Sequence, residues 1–140
     1  MPHEPILYVV VRSDMESLNP GKAMAQVAHA ANQFWKKVSG LGKESKNSFL
    51  YDLASQWSEQ ADGFGTTIVL DGLDGPTMVD WYSELENSSV QMIRGVTVDP
   101  QYPIRDGKVT HLVPDVMTCM FVFGDKFQLE HHTRNFKLHR

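Results

Sequence analysis

Continuous apolar runs alternate along the chain with segments in which apolar residues recur at helical spacing. Ile6 to Val11 is an uninterrupted apolar run rich in β-branched residues, which is typical of a strand covered on both faces. Three later segments also predict strands: Thr66 to Leu70, Val90 to Val98 and Met117 to Phe123. The pattern therefore predicts four strands.

Helical spacing occupies much of the sequence between the predicted strands. Asn19 followed by Pro20 predicts a helix with asparagine as its cap and proline at its first position. Its predicted buried face consists of Met24, Val27, Ala28, Ala31 and Trp35. Further helices are predicted from Phe49, Leu50, Leu53 and Trp57, and from Met78, Trp81, Tyr82 and Leu85 after Asp74-Gly75-Pro76. The tail contains a short amphipathic segment from Lys126 to Thr133.

Two segments predict loops. Gly40 to Ser48 is rich in glycine, serine and lysine. Residues 100–115 contain three prolines and show no clear period. A loop of this length in a small domain is either functional or an insertion.

The alternation of helices and strands predicts the fold class. Residues 1–140 fit one domain that is large enough to bury a core, and 41% of them are hydrophobic, which is ordinary for a globular protein. We expect a single compact α/β domain with a mixed, mostly parallel four-stranded sheet and helices packed on both faces.

Charge and cysteine content restrict the surroundings and partners. A net charge of −4 argues against non-specific coating of nucleic acid, although it leaves room for a small basic pocket that reads one end of an RNA. The lone Cys119 lies in an apolar run, which predicts a buried thiol. With no apolar run of about 18 residues and no basic region at the N-terminus, we expect a cytoplasmic protein without a membrane partner.

The first predicted helix carries a polar stripe. Lys22, Gln26, His29 and Gln33 fall within about 60° of one another on a helical wheel. The stripe is either the solvated face of the helix or part of a site, and it lacks the mixture of Glu and Lys that is usual on solvated faces. His29 could act as a general base or hydrogen-bond donor, or it could be structural.

The start of the same helix is suited to an anion. Free backbone N–H groups and the helix dipole attract phosphate or carboxylate, Gly21 permits close approach, and Lys22 adds a full charge. An ordinary capped helix is the alternative, and a single Gly-Lys pair is not a Walker loop. Asp14 and Asp99 end predicted strands, where each carboxylate either meets a ligand or caps a turn.

No metal or cofactor is expected. His131 and His132 are adjacent and cannot both face one metal ion from a regular helix. Cysteine and histidine are not found at the spacing of zinc ligands.

Two stretches together resemble the opening of type-2 peptidyl-tRNA hydrolases. Val10 to Met15 reads VVRSDM and Gly21 to Ala30 reads GKAMAQVAHA, whereas the family has R-x-D-L followed by G-K-x-A-A-Q-x-x-H-A. Weaker similarity covers nearly the whole chain and includes the strand that reaches Asp99, the apolar strand that ends in Gly124, and the ending TRNFKL of Thr133 to Leu138. The chain is similar to a divergent member of this family.

The resemblance implies a fold, a reaction and a set of residues. The family has a compact domain with a mixed four-stranded sheet, is often dimeric, and hydrolyses the ester that joins a peptide to tRNA. The resemblance implies tRNA as a partner, a homodimer, and Lys22, His29, Asp99 and Thr118 as catalytic residues, with Asp99 orienting the water. The predicted substrate-binding residues are Asn19, Gly21, Lys22 and Gln26, while Asp14, together with Gln26, supports the site.

The sequence also departs from the family pattern. The loop before Gly21 is one residue longer than usual and lacks a lysine, and the family's D-A-G-x-T-Q is replaced by Asp99-Pro100-Gln101-Tyr102-Pro103. The leading hypothesis is a peptidyl-tRNA hydrolase. The alternative is a binding domain for tRNA, a nucleotide or a protein that keeps the fold and has lost the chemistry.

Overall fold

One sheet with helices on both of its faces organises the protein. The computed structural model describes residues 2–41 and 48–139. In chain order its elements are β1 (Pro5–Arg12), α1 (Pro20–Ser39), α2 (Ser48–Glu59), a short 3₁₀ helix (Ala61–Gly63), β2 (Thr67–Leu73), α3 (Gly75–Glu86), β3 (Ile93–Asp99), β4 (Tyr102–Asp106), β5 (Val109–Val113), β6 (Val116–Asp125), α4 (Lys126–Thr133) and β7 (Lys137–Leu138).

The main sheet has the strand order β3-β6-β1-β2-β7. β1 and β2 are parallel because α1 and α2 form the crossover between them. The other three neighbouring pairs are antiparallel. The sheet is mixed, as predicted, but it is mostly antiparallel with one parallel pair instead of mostly parallel, and it has five strands instead of four. β6 returns beside β3 without an intervening helix, and the two-residue β7 adds a fifth strand.

Alternate residues of the central strand β1 face two separate cores. Leu7 and Val9 pack into the core beneath α1 and α2. Tyr8 and Val10 pack into the core beneath α3 and α4. All four side chains are buried, as expected for a strand covered on both sides. The prediction of an α/β fold with helices on both faces is confirmed.

Helix α1 begins as predicted but is rotated from its predicted orientation. Asn19 is the N-cap, its side chain accepting from the backbone N–H of Lys22, and Pro20 occupies the first turn. The buried row is Ala23, Gln26, Ala30, Phe34 and Val38. Met24 is 69% exposed and Trp35 43% exposed, and Ala28 is exposed as well, so the predicted burial of these three residues is wrong. The rotation places small alanines against the sheet and brings one edge of the polar stripe over β3 and β6.

The segment after β3 has regular structure. β4 and β5 form a separate two-stranded antiparallel hairpin in which Tyr102 is opposite Val113. The expectation of an irregular loop over residues 100–115 is therefore wrong. Its three prolines lie beside the hairpin strands or at a position opposite Leu112, and they interrupt the local pattern without preventing pairing. The predicted loop from Gly40 to Ser48 falls largely on residues 42–47, outside the described residues.

Candidate active site

Three predicted site residues meet between α1 and the sheet. The side-chain amide of Gln26 donates from Nε2 to Asp99 Oδ2 over 2.8 Å. Its Oε1 accepts from the hydroxyl of Thr118, also at 2.8 Å. Asp99 ends β3, and Thr118 lies in the neighbouring strand β6. The helix and two antiparallel strands thus hold a carboxylate at a fixed position.

The chemistry of the partners fixes the orientation of the Gln26 amide. An ionised carboxylate only accepts hydrogen bonds, so the NH₂ end of Gln26 must face Asp99. The Oε1 end then faces Thr118, whose hydroxyl donates. Thr118 is 0% exposed and Gln26 is 4% exposed. Neither side chain is open to solvent. Thr118 holds the Gln26 amide, and the amide in turn holds the carboxylate of Asp99.

The carboxylate of Asp99 retains free acceptor capacity. Its Oδ1 accepts from the backbone N–H of Gln101 at 2.9 Å, and its Oδ2 accepts from Gln26. A carboxylate offers about four acceptor positions, so about two remain. Asp99 is half-buried. A water molecule or a substrate group can therefore reach a carboxylate that two donors already orient.

Lys22 lies on the same helix, one turn before Gln26, and its ammonium faces the hairpin. Nζ donates to the backbone carbonyl of Pro103 in β4. It also lies 5.2 Å from the centre of the Tyr102 ring, which is cation–π distance. Pro103 follows Asp99 by four residues. The segment 99–103 thus carries Asp99 at one end and holds the Lys22 ammonium through Pro103 at the other.

The remaining predicted residues of α1 differ in their surroundings. His29 is exposed and lies about two helical turns beyond Lys22, and its side chain makes no hydrogen bond to the described residues. Asn19 uses its Oδ1 as the helix cap. A Cβ on Gly21 would meet only this oxygen, at 3.5 Å, so the fold does not require glycine there. The structure groups Gln26, Asp99 and Thr118, with Lys22 beside them, and leaves His29 outside that group.

The polar stripe is not a solvated face along its whole length. Gln33 donates from Nε2 to the backbone carbonyl of Val96 and accepts from the Thr97 hydroxyl, at 2.9 Å in each case. Gln26 and Gln33 thus pair with β3 and β6. The solvated-face interpretation is wrong for these two residues. The absence of charged residues between Lys22 and Lys36 on α1 was the signal for it.

Asp14 is held in an ion pair beside the carboxyl end of β1. Arg12 donates from Nε and Nη2 to the two oxygens of Asp14, at 2.9 and 2.8 Å, and from Nη1 to the Met117 carbonyl. These side-chain hydrogen bonds lower the pKa of the Asp14 carboxyl and raise the pKa of Arg12. Asp14 thereby joins the loop after β1 to β6, immediately before Thr118.

Replacing Asp14 by asparagine should lower the free energy of unfolding slightly, by an amount that depends on pH. The folded-state pKa of Asp14 lies below its ordinary value of 3.8. The ion pair therefore stabilises fully above that value and is lost as pH falls through the lower folded pKa. Urea unfolding should show a loss of under about 1 kcal/mol at pH 7, because both side chains are partly exposed. A difference between wild type and Asp14→Asn that does not shrink in acid would contradict this account.

The described residues contain neither a metal cluster nor a reactive thiol. No three His, Cys, Asp or Glu side chains in this part of the chain come close enough to hold a metal ion. Cys119 is fully buried, as predicted, and burial raises the pKa of its thiol to about 12. Such a thiol stays protonated at neutral pH and cannot act as a nucleophilic thiolate.

Comparison with known proteins assigns the family. A model of the peptidyl-tRNA hydrolase family PTH2 matches residues 6–139, nearly the whole chain. The chain belongs to this family. No individual curated protein matches the sequence. Membership in PTH2, a family of hydrolases, confirms the resemblance recognised in the sequence, and the matched range contains the Gln26–Asp99–Thr118 group and Lys22.

The site of this PTH2 member contains one residue that sequence analysis missed. In the sequence Tyr102 stands out only as part of a departure from the family pattern, yet it is 1% exposed and lies against Lys22. An aromatic residue between two prolines in a segment without period gives no signal for this contact.

Within the described residues, no helix has the length and hydrophobicity needed to cross a membrane.

Proposed function

We propose that the protein hydrolyses the ester between a peptide, or an N-blocked aminoacyl group, and tRNA. The observation that carries the proposal is the pairing of Asp99 with Gln26, because it leaves a half-buried carboxylate oriented and still able to accept. PTH2 membership supplies the reaction class. Hydrolysis of an ester needs a water to be activated and negative charge on oxygen to be stabilised.

Asp99 supplies the first requirement. Its carboxylate takes a proton from a water molecule as the water oxygen bonds to the ester carbonyl carbon. The tetrahedral intermediate carries its negative charge on the former carbonyl oxygen. When the intermediate collapses, the bond to the ribose oxygen breaks and that oxygen takes the proton from Asp99. The products are a free tRNA hydroxyl and a peptide carboxylic acid, which releases its remaining proton to solvent and becomes a carboxylate.

Lys22 supplies the second requirement. Its ammonium is the one full positive charge at the start of α1, and it is held beside the segment that begins at Asp99. A cation at this place stabilises the oxyanion of the intermediate or an adjacent phosphate of the tRNA end. Gly21 and Asn19 are exposed beside Lys22. Their proposed role is to bind the substrate, Gly21 through its backbone and Asn19 through its side-chain NH₂ group, since its Oδ1 caps the helix.

Thr118 and His29 have different roles in this proposal. Thr118 is buried, so it acts as a positioning residue by fixing the amide of Gln26, which in turn fixes Asp99. His29 is exposed on the same side of α1, and its proposed role is to contact the RNA. The proposal thus limits the catalytic residues that touch the substrate to Lys22 and Asp99.

The direct test is turnover of an N-acetyl-aminoacyl-tRNA by the wild-type protein. The label is placed on the acyl group, and acid-soluble release is followed at low ionic strength, with the spontaneous rate subtracted. We expect multiple turnovers. Salt-dependent binding of the tRNA without release would instead support the alternative of a binding domain that has lost the chemistry.

A further inference from the structure

Tyr102 connects three parts of the chain that meet around Lys22. Its ring is buried in the core beneath α1 together with Leu18 and Ala23. Its hydroxyl is 3.1 Å from the hydroxyl of Ser17, in the loop before α1. Its backbone begins β4, the first strand of the hairpin. The side chain therefore fixes the hairpin against the start of the helix.

This arrangement determines where the Lys22 ammonium lies. A lysine side chain has four flexible carbons and is normally mobile at a helix start. Here the ammonium lies over the face of the Tyr102 ring and donates to the carbonyl of the next residue, Pro103. The ring face attracts the cation and the carbonyl defines its direction. Lys22 is half-buried as a result.

We infer that Tyr102 is a positioning residue for the hydrolysis, acting through Lys22. The inference rests on the proposed function, because it assigns the ring to a cation that stabilises the transition state. An ammonium that is already directed loses less freedom when negative charge develops, so the effect falls on kcat more than on KM. The tyrosine takes this role within the segment where the chain departs from the family pattern.

The test compares Tyr102→Leu with Tyr102→Phe. Leucine fills part of the core but has no ring face, whereas phenylalanine keeps the ring and loses only the contact with Ser17. We expect Tyr102→Leu to lower kcat about five- to tenfold with KM changed less than about twofold, and Tyr102→Phe to restore most of the rate. Tyr82→Leu is the matched control, since Tyr82 lies 5.1 Å from Arg94 in a similar pair away from the site.

A double-mutant cycle separates positioning from general loss of structure. If Tyr102 acts through Lys22, Tyr102→Leu should have almost no further effect in a Lys22→Ala background. Equal fractional losses in both backgrounds would overturn the inference, as would a Tyr102→Phe variant no better than Tyr102→Leu. A wild-type protein without turnover overturns the proposed function and this inference together, whereas turnover unaffected by Tyr102→Leu overturns the inference alone.

Nuclear magnetic resonance gives a readout that does not depend on activity. Protons on the Lys22 carbon next to the ammonium should be shifted upfield by the Tyr102 ring current in the wild type. The shift should persist in Tyr102→Phe and disappear in Tyr102→Leu. Ordinary lysine chemical shifts in the wild-type protein would overturn the inference, whatever the kinetic result.

Discussion

Asp99→Asn is expected to lower kcat about 100- to 10,000-fold, the usual contribution of a general base. Asparagine cannot take a proton from water, although it has nearly the same size and shape. The fold should persist because the Gln26 amide can turn over, presenting Oε1 to the new NH₂ group and Nε2 to the Thr118 hydroxyl oxygen. The measurement is single-turnover release of the acyl group at saturating protein.

Asp106→Asn is the matched control for this prediction. Asp106 ends β4, seven residues after Asp99, and its side chain is 84% exposed. The change removes the same charge from the same region without touching the Gln26 group. Its rate should stay within about twofold of wild type, as for most surface substitutions. Similar losses in the two variants would show that net charge, not the base, controls the rate.

Lys22→Ala is expected to reduce kcat/KM about 100- to 1,000-fold, or about 2.7–4 kcal/mol of transition-state stabilisation. The ammonium is the full positive charge of the site, and alanine is well tolerated in a helix. Binding of the tRNA should also weaken and should depend less steeply on salt, because one phosphate-facing cation is lost. Steady-state kinetics and a salt titration of binding measure the two effects separately.

Lys36→Ala gives the corresponding control on the same helix. Lys36 lies in the last turn of α1 and is exposed. Removing it costs the same charge at a place remote from Asp99, so turnover should remain close to wild type. If Lys36→Ala and Lys22→Ala reduced kcat/KM equally, a general electrostatic attraction would explain both, and Lys22 would have no particular role in the reaction.

Local chemistry made part of the fold predictable from sequence. Asn19 and Pro20 specify the start of α1 by themselves, because capping and proline geometry involve only neighbouring residues. The apolar run of β1 predicts a strand covered on both faces for the same reason. Strand direction could not be predicted in this way, because the sequence of β6 does not indicate whether its neighbours run parallel or antiparallel to it. Pairing of β6 with β3 and β1 depends on the path of the chain between them.

The candidate site was predictable as a set of residue types and less so as an arrangement. Wheel geometry grouped Gln26 with Lys22 and could not choose between solvent and a site. Gln26 is buried because Asp99 and Thr118 hydrogen-bond both ends of its amide. These two residues lie 73 and 92 positions further along the chain, so the local sequence cannot show that they are its partners. The contact between Tyr102 and Lys22 could not be predicted for a similar reason. Tyr102 is buried where the hairpin packs against α1, and a segment without periodicity does not show which of its residues is buried.

The fate of the water oxygen tests the central claim most directly. Wild-type protein should be incubated with N-acetyl-aminoacyl-tRNA in water enriched in heavy oxygen, and both products should be analysed by mass spectrometry. Attack by water at the ester carbonyl predicts one heavy oxygen in the released acyl carboxylate and none in the terminal hydroxyl of the tRNA, with Asp99→Asn releasing almost nothing in the same time. Label in the tRNA hydroxyl, or no release by the wild type, would contradict the proposed hydrolysis.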